Sequence, residues 1–291
     1  MKKNITKFDN GGIKMDKKYE LTNETITVND HTLHRIKALR DFGNVKKGDL
    51  GGFIEFEKNL SQYGWCWVFG EAKVYGDAEV YGDANVSGYA KVYGNAIVCG
   101  NAKVFDNADV FGNAEVYRSA IVFGYAEVYE NAKVFGNVKV FGDAKVYDNA
   151  EVYDNAKVCG AAVVCGDAKV YDNAEVYGNA KVYRNARVHG YASIAMSGYI
   201  ASIDDYIVIG PIGSRNGYTT VYRTLNTDND SDSTNVRIQC GCFNGTPDEF
   251  FTKVDEGHKK GSIYHTQYTT IVKPMVDAMR QTSIENITDR G

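Results

Sequence analysis

With 291 residues and a formal net charge of −4, the chain has room for one or two ordinary domains and no bulk electrostatic bias toward nucleic acid or anionic membrane. Hydrophobic residues make up 44% and prolines number 3, so a core is possible and ladder hydrogen bonding is rarely interrupted. No apolar run reaches the roughly 18 residues that span a bilayer, and the basic start Met1–Lys2–Lys3–Asn4 lacks the apolar centre of a secretory signal. Cys99, Cys159 and Cys165 stand where a repeat uses an aromatic and Cys66 where it uses alanine, which suits reduced thiols in a cytoplasmic chain.

Residues 1–60 are expected to form a polar extension and a β cap, with Met15 as a second candidate start. Glu24–Val28 and Thr32–Ile36 alternate apolar and polar residues around Asn29–Asp30, which predicts a hairpin. Turns follow at Arg40–Val45 and Lys47–Gly52. A cap is needed because an open solenoid end exposes both core and unpaired backbone.

Residues 61–203 carry the dominant signal. From Val68 to Ile194 an aliphatic residue recurs at every sixth position, in units such as Gly76–Asp77–Ala78–Glu79–Val80–Tyr81. A short fixed period is the mark of a solenoid. Strand alternation sends Ala78 and Val80 to one face and Glu79 and Tyr81 to the other. The charged position cannot face a narrow interior, so alanine and valine point in and the aromatic points out. Glycine with Asn or Asp makes each corner. Three sides give a triangular coil of about eighteen residues, the left-handed parallel β-helix, in a prism on the order of 34 Å long.

Folding the chain at that coil length aligns Tyr75, Tyr93, Phe111, Tyr129 and Tyr147 in one outer column, aromatics expected to shield and rigidify the coils and to offer a face for a flat ligand, a glycan or a protein partner. Tyr117, Phe135, Tyr153 and Tyr171 form a second column, and Phe105, Phe123 and Phe141 a third. Glu115, Lys133, Glu151 and Lys169 alternate in sign beside them.

Residues 204–291 leave the period and read as a small α+β domain. Tyr206–Ile209, Thr219–Arg223 and Asn235–Gln239 are expected strands. Thr246–Pro247–Asp248–Glu249 is a capping box that opens a helix to about Gly257. A second helix over Tyr264–Met279 is expected to bend or break near Pro274.

Four places carry candidate chemistry. Many left-handed β-helices are acyltransferases with a histidine base, but the coils here are uninterrupted and their one histidine, His189, occupies an aromatic slot. The loop from Gly210 to Tyr218 is a candidate phosphate or nucleotide site, with Gly213, Ser214, Arg215, Asn216, Tyr218 and the following Arg223 as its residues. That reading requires Arg215 and Arg223 to converge on one pocket. Cys240–Gly241–Cys242 with His258 and His265 lacks zinc spacing, so no metal is expected. Asp228–Asn229–Asp230–Ser231–Asp232 lacks the glycine and distal glutamate of a calcium loop.

The segments Arg35–Phe42 and Gly48–Glu55, with the array and the closing Ile209–Arg215 and Cys240–Phe243, resemble the hexapeptide-repeat proteins common in bacteriophages and prophages. The resemblance implies a phage accessory protein working in the cytoplasm of a bacterial host. The expected function is non-catalytic: counteracting host defence by binding a host effector protein or a nucleotide signal, without cofactor, membrane or nucleic acid, as a homo-oligomer. The rivals are an acyl or nucleotidyl transferase and a structural polymer or virion component.

Overall fold

The structure is a computed structural model describing residues 17–224 and 235–281; the acidic stretch Asp228–Asp232 and the alternative start Met15 lie outside the described residues. The repeat folds as a mainly β parallel solenoid with one strand per hexad, of two residues except at Glu115–Arg118 and Lys133–Gly136, which span four. Lys73–Val74, Lys91–Val92 and Asp109–Val110 pair in register on successive coils, and so on along each side. Three parallel sheets result. One runs from the N-terminal cap to Tyr199–Ile200, the second from Trp67–Val68 to Ser193–Ile194, and the third from Glu79–Val80 to Arg187–Val188.

Each strand is short because the corner follows at once, and the ladder runs on through it. Glu79 N–H donates to the Ala96 carbonyl at 2.9 Å and Tyr81 N–H to that of Val98 at 3.1 Å, both one coil on. Alanine and valine slots from Ala72 to Val188 are 0–1% exposed. A triangular section this narrow admits nothing larger at every slot, so alternating small and branched residues fill it without voids.

Corners need positive φ. Gly76 sits at φ 69°, and a Cβ there would lie 3.2 Å from the backbone N and O of Gly94. Some of the acids that take this place put their carboxylate to use. Asp148 (φ 59°) accepts the Gly166 N–H at 2.8 Å, and the Glu130 carboxylate accepts the Asp148 N–H at 3.0 Å. The side chain thus caps the N–H of the neighbouring corner, offsetting a conformation that costs an ordinary residue about 1 kcal/mol or more.

The outer columns pack on themselves. Ring centroids on successive coils lie 4.8–5.1 Å apart and close to parallel, so the aromatics are mostly half-buried and present their edges. Beside them Glu115–Lys133 (3.1 Å) and Glu151–Lys169 (3.0 Å) pair as the alternating signs predict. An amide ladder, Asn95–Asn113–Asn131–Asn149–Asp167, links one corner across coils.

The N-terminal cap is a hairpin of Tyr19–Val28 with His31–Ala38, turning on Asn29 (φ 45°) and Asp30 (φ 67°). Leu50–Ile54 then joins it antiparallel on one side and runs parallel to Lys73–Val74 on the other. Buried Asn59 donates to the Gly76 and Ala78 carbonyls (3.0 and 2.8 Å), and Glu55 accepts the Gly76 N–H at 2.8 Å. These contacts satisfy the backbone of the first coils. They also correct one expectation: Tyr75 is 3% exposed, covered by Leu33 and Phe53 of the cap, and is no part of an open face.

At the other end Tyr206–Ile212, Gly217–Arg223, Val236–Cys240 and Phe243–Gly245 form an antiparallel sheet. Tyr206 and Tyr222 belong to the solenoid core and plug its last coil. The helix Pro247–Gly257 opens on the expected capping box, with Glu249 N–H donating to Thr246 Oγ1 at 3.2 Å. The second helical stretch, Ile263–Gln267 through Lys273–Gln281, does not break at Pro274. A π-helical turn over Tyr268–Val272 precedes the proline, and the wider turn makes room for a ring that would otherwise clash with the carbonyl four residues back.

Candidate ligand site in the C-terminal domain

A cavity of about 420 Å³ opens between the sheet and the first helix. Two turns form its mouth. The hairpin Gly213–Asn216 is pinned from behind, because the Gly213 N–H donates to Gln267 Oε1 at 2.9 Å. A Cβ on Gly213 would fall 1.9 Å from the Tyr268 hydroxyl, so only glycine lets the turn settle against that ring. The second turn, Cys240–Gly241–Cys242, has Gly241 at φ 57°.

The walls combine rings and cations. Tyr218, Phe243, Phe250 and Tyr268 supply aromatic surface, and Ser214, Arg215, Lys253 and His258 the polar groups. Lys253 lies 5.2 Å from the Phe243 ring centroid, and the His258 ring stacks on Tyr268 at 5.7 Å. Burial, with the Cys240 thiol beside it, pushes the Tyr268 phenol up to about 12, against the opposing pull of Arg215. The phenol therefore stays protonated and neutral at physiological pH. Cys240 Sγ accepts a hydrogen bond from Thr219 Oγ1 at 3.1 Å.

Among the described residues that line this cavity none is acidic. In a chain of net charge −4 that is a local reversal of sign. Two basic side chains among aromatic walls favour an anion carrying a flat ring.

Of the residues expected from sequence, Ser214, Arg215 and Tyr218 line the cavity. Gly213 and Asn216 (φ 51°) shape the turn that carries them. Arg223 is not brought there, contrary to the convergence that the sequence reading required. It is 8% exposed, paired with Asp205 at 3.3 Å and donating to the Met279 carbonyl at 3.1 Å. Alternation explains the failure: Arg223 is five positions from Tyr218 along one strand, hence on the opposite face and roughly 17 Å along it.

Lys253 and Tyr268 were missed by sequence reasoning. A helix beginning at Pro247 places Phe250, Lys253 and Val254 on one face, which was the available signal. Cys240, Cys242 and His258 do line the cavity, but His265 turns away to Asp255 at 2.9 Å. Among the described residues no His, Cys, Asp and Glu cluster is arranged to hold a metal. His189 stacks on Tyr171 at 5.1 Å and meets the edge of Tyr206, a rung of the ladder closed off by the C-terminal domain.

The aromatic column is continuous, at 5.0 Å for Tyr75–Tyr93 and 4.9 Å for Tyr93–Phe111, Phe111–Tyr129 and Tyr129–Tyr147. Its ring faces are consumed by each other. What remains outward is a row of edges flanked by the pairs Lys91–Asp109 and Lys145–Glu127.

A scan against protein-family models matches none, and a search of curated proteins finds no match. No helix among the described residues is long and apolar enough to cross a membrane.

Proposed function

We propose that this chain is a non-catalytic binding protein in which the solenoid is the scaffold and the C-terminal cavity holds a mononucleotide or a similar small, ring-bearing anion. The observation that carries the reading is the cavity lining: Arg215 and Lys253 together with Tyr218, Phe243, Phe250 and Tyr268, and no lining carboxylate. Its volume falls at the lower end of the range of about 300–1,000 Å³ usual for small-molecule sites. A single nucleotide suits that size better than a dinucleotide. Binding rather than turnover fits the groups present, since nothing acidic lines the cavity to orient His258 as a base, and Cys240 is engaged by Thr219.

The phage resemblance of the cap and closing segments supplies the setting: an accessory protein in a bacterial host that withdraws a nucleotide signal from a defence pathway. Isothermal titration of the purified chain with nucleoside monophosphates, and with the matching nucleosides as controls, tests the binding. Monophosphates should bind and nucleosides should not. Arg215→Ala and Lys253→Ala should each weaken binding by about 10- to 100-fold, the worth of one charge-assisted hydrogen bond. Equal affinity for nucleosides, or indifference to both substitutions, would sink the reading.

A further inference from the structure

Cys66 occupies an alanine slot of the repeat, where Ala72, Ala78 and Ala84 stand on the following sides. The interior does not need sulfur there. The thiol instead meets the side chain of Lys18, from just before the first cap strand, and both residues are 0% exposed. Lys18 Nζ lies 3.1 Å from Cys66 Sγ, 2.9 Å from the Cys66 carbonyl and 3.4 Å from that of Tyr63. Among the described residues no carboxylate forms an ion pair with it, and the Phe42 ring lies 5.2 Å from its Nζ.

A lysine without an acid is out of place in a core, because an uncompensated buried charge is costly. Burial pushes the Lys18 ammonium below the usual lysine range, with Cys66 opposing, and pushes the Cys66 thiol up. Both shifts move toward the neutral forms, and the fold holds the two groups in direct contact, with Lys18 Nζ 3.1 Å from Cys66 Sγ. The other cysteines cannot compete as disulfide partners. Cys99, Cys159 and Cys165 occupy outer aromatic slots, and Cys240 and Cys242 lie in the C-terminal domain.

We propose that Lys18 and Cys66 are a modification site, closing under dioxygen into a covalent N–O–S bridge that locks the cap to the first coil. The amine and the thiol each give up one hydrogen, and these leave with one oxygen atom as water. The other oxygen bridges Nζ and Sγ. Nitrogen and sulfur are each oxidised by two electrons, and dioxygen takes up all four. A dithiol reductant reverses the step, returning amine, thiol and water. Dioxygen is small and apolar enough to reach a site closed to larger oxidants. The bridge would join positions 48 apart in sequence, so it restricts the unfolded chain and raises the melting temperature.

The test is mass spectrometry of the full chain, purified anaerobically with dithiol and then exposed to dioxygen. Intact mass should rise by about 14 Da, one oxygen gained and two hydrogens lost, and fall back on reduction. Digestion should yield a joined pair of peptides containing Lys18 and Cys66, which separates the bridge from a methylation of similar mass. Cys66→Ala restores the repeat's own residue and should fold, show no gain and lose the oxygen-dependent rise in melting temperature. Lys18→Arg should also show no gain. An unchanged mass under dioxygen, oxygen found on Cys66 alone, or a gain that survives Cys66→Ala overturns the proposal.

Discussion

Tyr191, on a corner of the last coils, and Tyr218, in the ligand hairpin, lie face to face with ring centroids 4.2 Å apart and planes 8° from parallel. This stack ties the wall of the C-terminal cavity to the rigid solenoid. Such a pair contributes about 0.5–1.5 kcal/mol beyond its buried area. Tyr191→Ala should therefore leave the solenoid folded by circular dichroism but weaken monophosphate binding by about 2- to 10-fold. Unaltered affinity in calorimetry would mean that the hairpin is held by Gln267 and Tyr268 alone.

Arg223 and Asp205 form the buried joint between the solenoid and the terminal sheet, at 3.3 Å. Arg223→Ala strands a carboxylate that also accepts the Ala201 and Ser202 N–H groups at 2.8 Å each. Chemical denaturation should show a loss of about 3–5 kcal/mol. Ligand affinity below the transition should hold, since Arg223 lies away from the cavity; a direct loss of binding without destabilisation would contradict that placement.

The interior tolerates little change in volume. Ala132 is fully buried in the middle of the prism, and Ala132→Leu adds three carbons where the facing sides leave no room. A cost of about 1–3 kcal/mol or more is expected from overpacking, read as a lower denaturation midpoint. A neutral result would mean that the coil can dilate locally.

The amide ladder is a smaller and more exposed contribution. Asn131 accepts from Asn113 at 3.0 Å and donates to Asn149 at 3.2 Å. Asn131→Leu removes both contacts and should cost about 1–2 kcal/mol, with the flanking coils gaining faster amide exchange. No change in exchange at Asn113 and Asn149 would assign the ladder a passive role.

Alkaline pH should unfold the protein through its tyrosines. Burial raises the phenols of Tyr93, Tyr206 and Tyr222 to about 12, from an ordinary value of 10.0. Between those values the unfolded chain has lost protons that the folded chain keeps, so stability is full below pH 10 and falls as pH rises toward 12. Thermal melts across this range should drop steeply, and tyrosinate absorbance should appear together with unfolding. Ionisation near pH 10 in a still-folded protein would contradict the burial.

The solenoid was legible because its physics is local and repeated. A period of six, with alternation of two within it, determines which side chains face the narrow interior and which recur on neighbouring coils. Glu115–Lys133 and the aromatic columns follow from counting eighteen residues, and the Asn95–Asn149 ladder would have followed from the same count. The capping box at Thr246 was equally local. Tyr75 shows where such reading stops. Its hexad is like the others, and only the cap folding over it buries it.

By itself, then, the sequence determined the prism, its inside and outside, and the turn chemistry at its corners, since each depends on residues within one or two coils. Tertiary structure decided the rest. It sent Arg223 to Asp205 instead of Arg215, brought Lys253, His258 and Tyr268 to the hairpin from distant helices, and set Lys18 against Cys66. No period links these positions, and their meeting depends on how aperiodic segments pack against the ends of a periodic one.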